Sequence, residues 1–138
     1  DPRVAAMLLN PLEAVQHDAG KQGALLMHRT RSSRLMMAAA MQHQIDVPGR
    51  VEAETEAGED WARTTVICGL RPGQKLRIVK FLAYGWSSLR SRPALRDQVL
   101  GAVAGAEYCG WDGLLKSQRD YLDEFWDCAD VEVEGENR

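Results

Sequence analysis

The sequence predicts a mainly β chain with C-terminal helices: an antiparallel β-sandwich segment followed by two α-helices. Three observations carry this. Extended segments recur about every ten residues, as antiparallel sandwich strands do. Turn signatures, Pro48-Gly49 and Arg71-Pro-Gly-Gln, punctuate them. From Ser91 onward the apolar period changes from two residues to 3.6.

In order, residues 1–20 carry Pro2, Pro11 and a short apolar run, Val4–Leu9, read as a strand or a turn of helix. A polar loop through Asp18-Ala-Gly-Lys follows. Residues 23–30 read as a strand that enters a turn at Arg31-Ser-Ser-Arg. Residues 34–45 set two signals against each other. Their Met and Ala favour helix by propensity, but strand-like neighbours on both sides favour a strand, and a strand is the expectation. In residues 50–60 the alternation of Val51, Ala53 and Thr55 with glutamates predicts a strand whose glutamates face outward. Residues 61–70 are rich in β-branched side chains. Arg71-Pro-Gly-Gln has Pro and Gly where a type II turn wants them. Lys75–Tyr84 alternates again, with Leu76, Ile78, Leu82 and Tyr84 on one face. The sequence therefore pairs 61–70 with 75–84 as its clearest hairpin.

Pro93 suits a helical first turn, where its absent N–H costs nothing. Leu95, Val99, Ala102, Val103 and Ala106 form one apolar stripe. Gly110-Trp-Asp-Gly breaks the helix, and Asp112 is the expected N-cap of the next. Leu114, Leu115, Tyr121, Leu122, Phe125 and Trp126 form a second stripe.

The totals narrow the function. The 138 residues suffice for one domain with a core. No apolar run approaches the roughly 18 residues of a membrane helix, so no membrane partner is expected. Net charge is −3, unevenly spread: residues 61–100 hold many Arg and Lys beside a single acid, Asp97, whereas 107–137 hold many acids beside only Lys116 and Arg119. The acidic end would repel phosphates, which argues against nucleic acid. Cys68, Cys109 and Cys128 are widely spaced and odd in number, which points to reduced thiols, a cytoplasmic setting and a role as small buried hydrophobes.

The chemistry-bearing residues favour bland roles. His17, His28 and His43 lack metal-ligand spacing, so no metal or cofactor is expected. Gly85-Trp-Ser-Ser-Leu fails the nucleophile-elbow pattern at Leu89. Lys75, Arg77 and Lys80 do not share one strand face, so a basic patch is not expected. Asp120, Asp123, Glu124 and Asp127, with Glu132, Glu134 and Glu136 after them, could do acid–base work on a sugar, yet an amphipathic helix needs a polar face in any case. Trp61, Trp86, Trp111 and Trp126 could stack on sugars but, scattered as they are, read as core anchors.

Longer phrases say more. Tyr84-Gly-Trp-Ser-Ser-Leu-Arg-Ser-Arg-Pro-Ala-Leu-Arg-Asp-Gln-Val, Gly110-Trp-Asp-Gly-Leu-Leu, Gln118-Arg-Asp-Tyr-Leu-Asp and Phe125-Trp-Asp-Cys-Ala-Asp-Val-Glu-Val-Glu-Gly resemble glycoside hydrolase family 65. Leu26-Met-His-Arg-Thr-Arg and Ala38-Ala-Ala-Met-Gln-His are similar to the same N-terminal domain. That family contains trehalose, maltose and kojibiose phosphorylases and acid-trehalase-like hydrolases. The resemblance implies that residues 1–90 are part of an N-terminal β-sandwich, 91–130 a helical linker, and 131–138 the truncated threshold of an (α/α)6 catalytic barrel. It places the general acid and the phosphate-binding residues in the barrel, so it implies no catalytic residue here. The implied parent acts on an α-linked glucose disaccharide, with inorganic phosphate as co-substrate if it is a phosphorylase. The implied partners are the barrel of the same chain, the parent's disaccharide and a second copy in a homodimer. The rival expectation is a free-standing carbohydrate-binding or protein-interaction module.

Overall fold

The computed structural model describes residues 11–129; the Val4–Leu9 stretch and Glu132, Glu134 and Glu136 lie outside them. Among the described residues, six strands precede one long helical element: β1 (Leu12–Ala19), β2 (Gly23–Thr30), β3 (Met36–Asp46), β4 (Val51–Ala57), β5 (Ala62–Cys68), β6 (Arg77–Ser87) and α1 (Arg92–Ala129). A four-stranded antiparallel sheet has the order β1-β2-β3-β6, and β4 and β5 form a separate two-stranded sheet. The mainly β class with a helical C-terminus is therefore observed.

Strand alternation gives the main sheet two unlike faces. Leu25 and Met27 of β2, Ala38 and Ala40 of β3 and Phe81 of β6 turn toward α1 and form the core with its Leu95, Val99 and Val103. Burying each large member contributes about 1.5–3 kcal/mol. The partners are small where the helix comes closest. Gly85 lies opposite Ala38 in the β3–β6 register, and a methyl on Gly85 would stand 2.9 Å from Val99 Cγ1 and 3.1 Å from Leu95 Cδ1. The other face carries Met37, Ala39, Met41, His43 and Ile45 of β3 opposite Trp86, Tyr84, Leu82, Lys80 and Ile78 of β6. The β4–β5 hairpin covers part of that face.

Four expectations are corrected. Residues 12–19, expected mostly as loop, are β1, an edge strand whose register shifts between Ala14 and Gln16; polar residues disguise it. The 61–70/75–84 hairpin does not form. The Arg71–Gln74 turn is real, with a Gln74 N–H to Arg71 carbonyl bond of 3.0 Å and Gly73 at φ 85°. However, β5 pairs back with β4, while β6 pairs with β3 over eleven residues. The longer ladder lets Val79, Phe81 and Ala83 join the core, which a local hairpin would not. It follows that the apolar face of β6 against the helix is not the one that holds Ile78, Leu82 and Tyr84, and these three are exposed. Finally, Cys109 and Cys128 are exposed rather than buried, with Cys68 intermediate.

Helix α1 starts at Ser91, whose hydroxyl accepts from the Ala94 N–H at 3.4 Å, satisfying one free donor of the first turn. The expected break occurs at Gly110 (φ 69°, ψ 172°), although the helical run resumes at once. Asp112 thus lies inside the renewed first turn, where its charge favours the helix dipole, rather than ahead of it. Before the break Leu95, Val99 and Val103 are buried. Beyond it Leu114, Tyr121, Leu122, Phe125 and Trp126 stand exposed, with Phe125 and Trp126 edge to face at 5.2 Å.

Candidate functional site

The β4–β5 hairpin is fixed to the sheet by polar contacts at two places. Along the ladder, where Thr55 faces Thr64, His43 Nδ1 lies 3.0 Å from the Gln22 carbonyl. A carbonyl only accepts, so Nδ1 carries the proton. Thr64 Oγ1 lies 3.2 Å from the same nitrogen, Thr55 and Thr64 hydroxyls are 2.9 Å apart, and Thr55 donates to the Lys21 carbonyl at 3.2 Å. This chain satisfies two of the buried polar side chains. At the tip, His28 Nε2 meets Asp60 Oδ1 at 3.1 Å. The His28 side chain is nearly buried, while Asp60 is exposed.

The hairpin tip and β6 enclose a cleft of about 330 Å³, at the lower end of the range for small-molecule sites. Leu26, Ala39, Met41 and Leu82 give it an apolar floor, and Asp60, Trp61, Lys80 and Tyr84 supply its walls. Trp61 is held in place. The Gly58 N–H donates to the Trp61 carbonyl at 2.8 Å. The indole packs on Gly58 so closely that a methyl there would lie 2.5 Å from Nε1. The Arg63 guanidinium stands 5.8 Å from the ring centroid and is itself tied to Glu56 at 2.6 Å, a contact that raises the Arg63 pKa further. Even so, half of Trp61 and two thirds of Tyr84 remain exposed.

The four tryptophans are not core anchors: Trp61, Trp86, Trp111 and Trp126 are 50%, 68%, 53% and 58% exposed. The core is filled instead by Met27, Leu95 and Val99, which fit between closely packed backbones. His17, His28 and His43 stand on three different strands and do not converge. Among the described residues no group of three or more His, Cys, Asp or Glu side chains is placed to hold a metal. Asp120, Asp123, Glu124 and Asp127 line an exposed helix surface, where Lys116 Nζ pairs with Asp120 at 2.5 Å; this is a solvated face. Lys80 joins the cleft, apart from Arg77 on the opposite face of β6. A hairpin of 61–70 with 75–84 sets Trp61 near Tyr84 but supplies no floor from β2 and β3, so reasoning from spacing did not show the cleft of Asp60, Trp61, Lys80 and Tyr84. The signals available were the aromatic after the Gly58 turn and the period-two run Lys80, Leu82, Tyr84.

Comparison with known proteins places this architecture. The chain is 72% identical over 136 residues to an uncharacterized glycosyl hydrolase of Mycobacterium tuberculosis strain H37Rv, covering 99% of this chain and 17% of that protein. An uncharacterized glycosyl hydrolase of Mycobacterium leprae is 71% identical over the same length, again 99% and 17%. An alpha,alpha-trehalose phosphorylase of Thermoanaerobacter brockii is 24% identical over 111 residues, covering 80% of this chain and 14% of that protein. The chain thus spans 17% or less of the length of the curated relatives it matches. No solved structure is significantly similar to it. The family model described as "Glycosyl hydrolase family 65, N-terminal domain" matches residues 1–125, and with the sheet, hairpin and trailing helix in place, the chain belongs to glycoside hydrolase family 65, within its N-terminal domain.

Proposed function

We propose that this chain is the non-catalytic scaffold of a larger cytoplasmic enzyme that acts on an α-linked glucose disaccharide of the trehalose or maltose type. The observation that carries the reading is the second half of α1. Leu114, Tyr121, Leu122, Phe125 and Trp126 make an apolar stripe that nothing in the described residues covers, and such a stripe on a helix is built to be packed against. Its proposed cover is the catalytic barrel of the same longer chain. In that barrel a glutamic acid would protonate the leaving glycosidic oxygen, and phosphate, or water aided by a base, would attack the anomeric carbon with inversion. The 24% identity to a trehalose phosphorylase supports a disaccharide and favours inorganic phosphate as the co-substrate. The proposed assembly is a homodimer, without nucleic acid or membrane. No described helix is long and apolar enough to cross a bilayer.

The test uses two proteins. The 138-residue chain, given trehalose or maltose with and without phosphate, releases no glucose or glucose 1-phosphate above a boiled control. The longer protein releases one of them with inverted anomeric configuration, read by proton NMR in the first minutes. Turnover by the 138-residue chain alone would refute the scaffold role.

A further inference from the structure

We infer that the cleft between the β4–β5 turn and β6 is a sugar-binding site, one that takes a single pyranose ring of a glucose disaccharide. It rests on the family reading for the ligand class and on its own geometry for the site. A pyranose presents an apolar C–H face and a rim of hydroxyls, so its site needs a flat aromatic surface, an apolar floor and a few fixed polar atoms at the edge. The cleft has each of these. Trp61 offers a half-exposed indole that Gly58 and the Arg63–Glu56 pair already hold in position, so little side-chain freedom is lost on binding. Ala39 and Ala62, two of the four alanines of the lining, leave room above the floor. At the rim, the Asp60 carboxylate accepts hydroxyl hydrogens. One of its oxygens is engaged by His28 Nε2 at 3.1 Å, which aims the other. The Lys80 ammonium donates from the side of β6, and the Tyr84 phenol, further along the same strand face, does either. These four side chains are not shared with the helix stripe assigned to the barrel, so the site is separate from that contact.

The test is a titration of the 138-residue chain, 15N-labelled, with maltose, trehalose and, as a non-cyclic polyol that cannot stack, sorbitol. The Trp61 indole N–H signal, identified by its loss in Trp61→Leu, is expected to shift saturably with at least one disaccharide, with a dissociation constant of about 1 mM, and not with sorbitol. Trp61→Leu and Asp60→Asn, the latter at an exposed position, each weaken binding about fivefold or more, followed through backbone signals of Lys80 and Tyr84. Trp86→Ala, on the same sheet face but outside the cleft, leaves affinity unchanged. No saturable shift, an equal shift with sorbitol, or equal sensitivity to Trp86→Ala would overturn the site. A longer protein that turns over disaccharide while the cleft stays silent would sink this inference and leave the scaffold reading intact.

Discussion

Gly85→Ala tests how tightly helix and sheet are locked together. The added methyl would stand 2.9 Å from Val99 Cγ1 and 3.1 Å from Leu95 Cδ1, distances at which something must move. Neither neighbour has anywhere to go: Leu95 and Val99 are 0% and 1% exposed. Overpacking such a site costs about 1–3 kcal/mol. Fewer conformations in the unfolded chain return about 0.4–1 kcal/mol. A net loss of about 1–2 kcal/mol is expected. Val99→Ala alone removes two buried methyls and costs about 2 kcal/mol. In the double variant the methyl added at position 85 occupies space that Val99 Cγ1 vacated, so the two losses do not add, and a favourable coupling of about 1 kcal/mol is expected. Urea unfolding of all four proteins, followed by far-ultraviolet circular dichroism at constant m, measures each term. A Gly85→Ala variant as stable as the parent, or strict additivity in the cycle, would show that the helix does not approach β6 as closely as described.

Two other outcomes follow from exposed groups. Glu13 is held below its ordinary pKa of 4.5 chiefly by the hydrogen bond from Arg29, at 2.9 Å, then by the charge of Arg29, with smaller help from Arg34 and Arg31. A lowered folded pKa means stability present above the unfolded value and lost as pH falls through the folded one; Glu13→Gln should therefore flatten the acid limb of the stability profile, and a limb unchanged by the substitution would refute the coupling. In the native chain Cys109 and Cys128 should react with a maleimide well ahead of Cys68, as peptide mapping after short labelling would read, because only the first two are exposed; a faster Cys68 would contradict the burial order.

How much of this was legible depended on the range of the signal. Signals confined to a few residues were read correctly: the strand over 34–45 despite its helix-prone Met and Ala, the outward glutamates of β4, the turn at Arg71–Gln74, the break at Gly110. What failed was choice of partner. Two strands joined by a good turn look like a hairpin, yet β6 found a longer match in β3, and only that pairing brings Phe81 beneath Leu95 and Val99. Pairing β6 with β5 misassigns its buried face and, although it sets Trp61 near Tyr84, gives the cleft no floor, since Leu26, Ala39 and Met41 come from β2 and β3. The tryptophans misled for a related reason. Size suggests a core anchor, but a core built where Gly85, Ala38 and Ala40 bring backbones close has no room for an indole.

Gly110 gives the helix a consequence that reaches past the sheet. From it to Ala129 the chain climbs nineteen residues, about 28 Å at 1.5 Å each. A change of about 10° in that one glycine's torsions swings the far end by about 5 Å on this lever. A methyl built on Gly110 meets nothing within 4 Å, so no side chain packs on the glycine itself. Its backbone, at φ 69° and ψ 172°, is one a Cβ disfavours by about 1–3 kcal/mol, and it sets the angle. The joint works as an elbow, and the aim of everything carried beyond the forearm is decided by a residue that touches none of it.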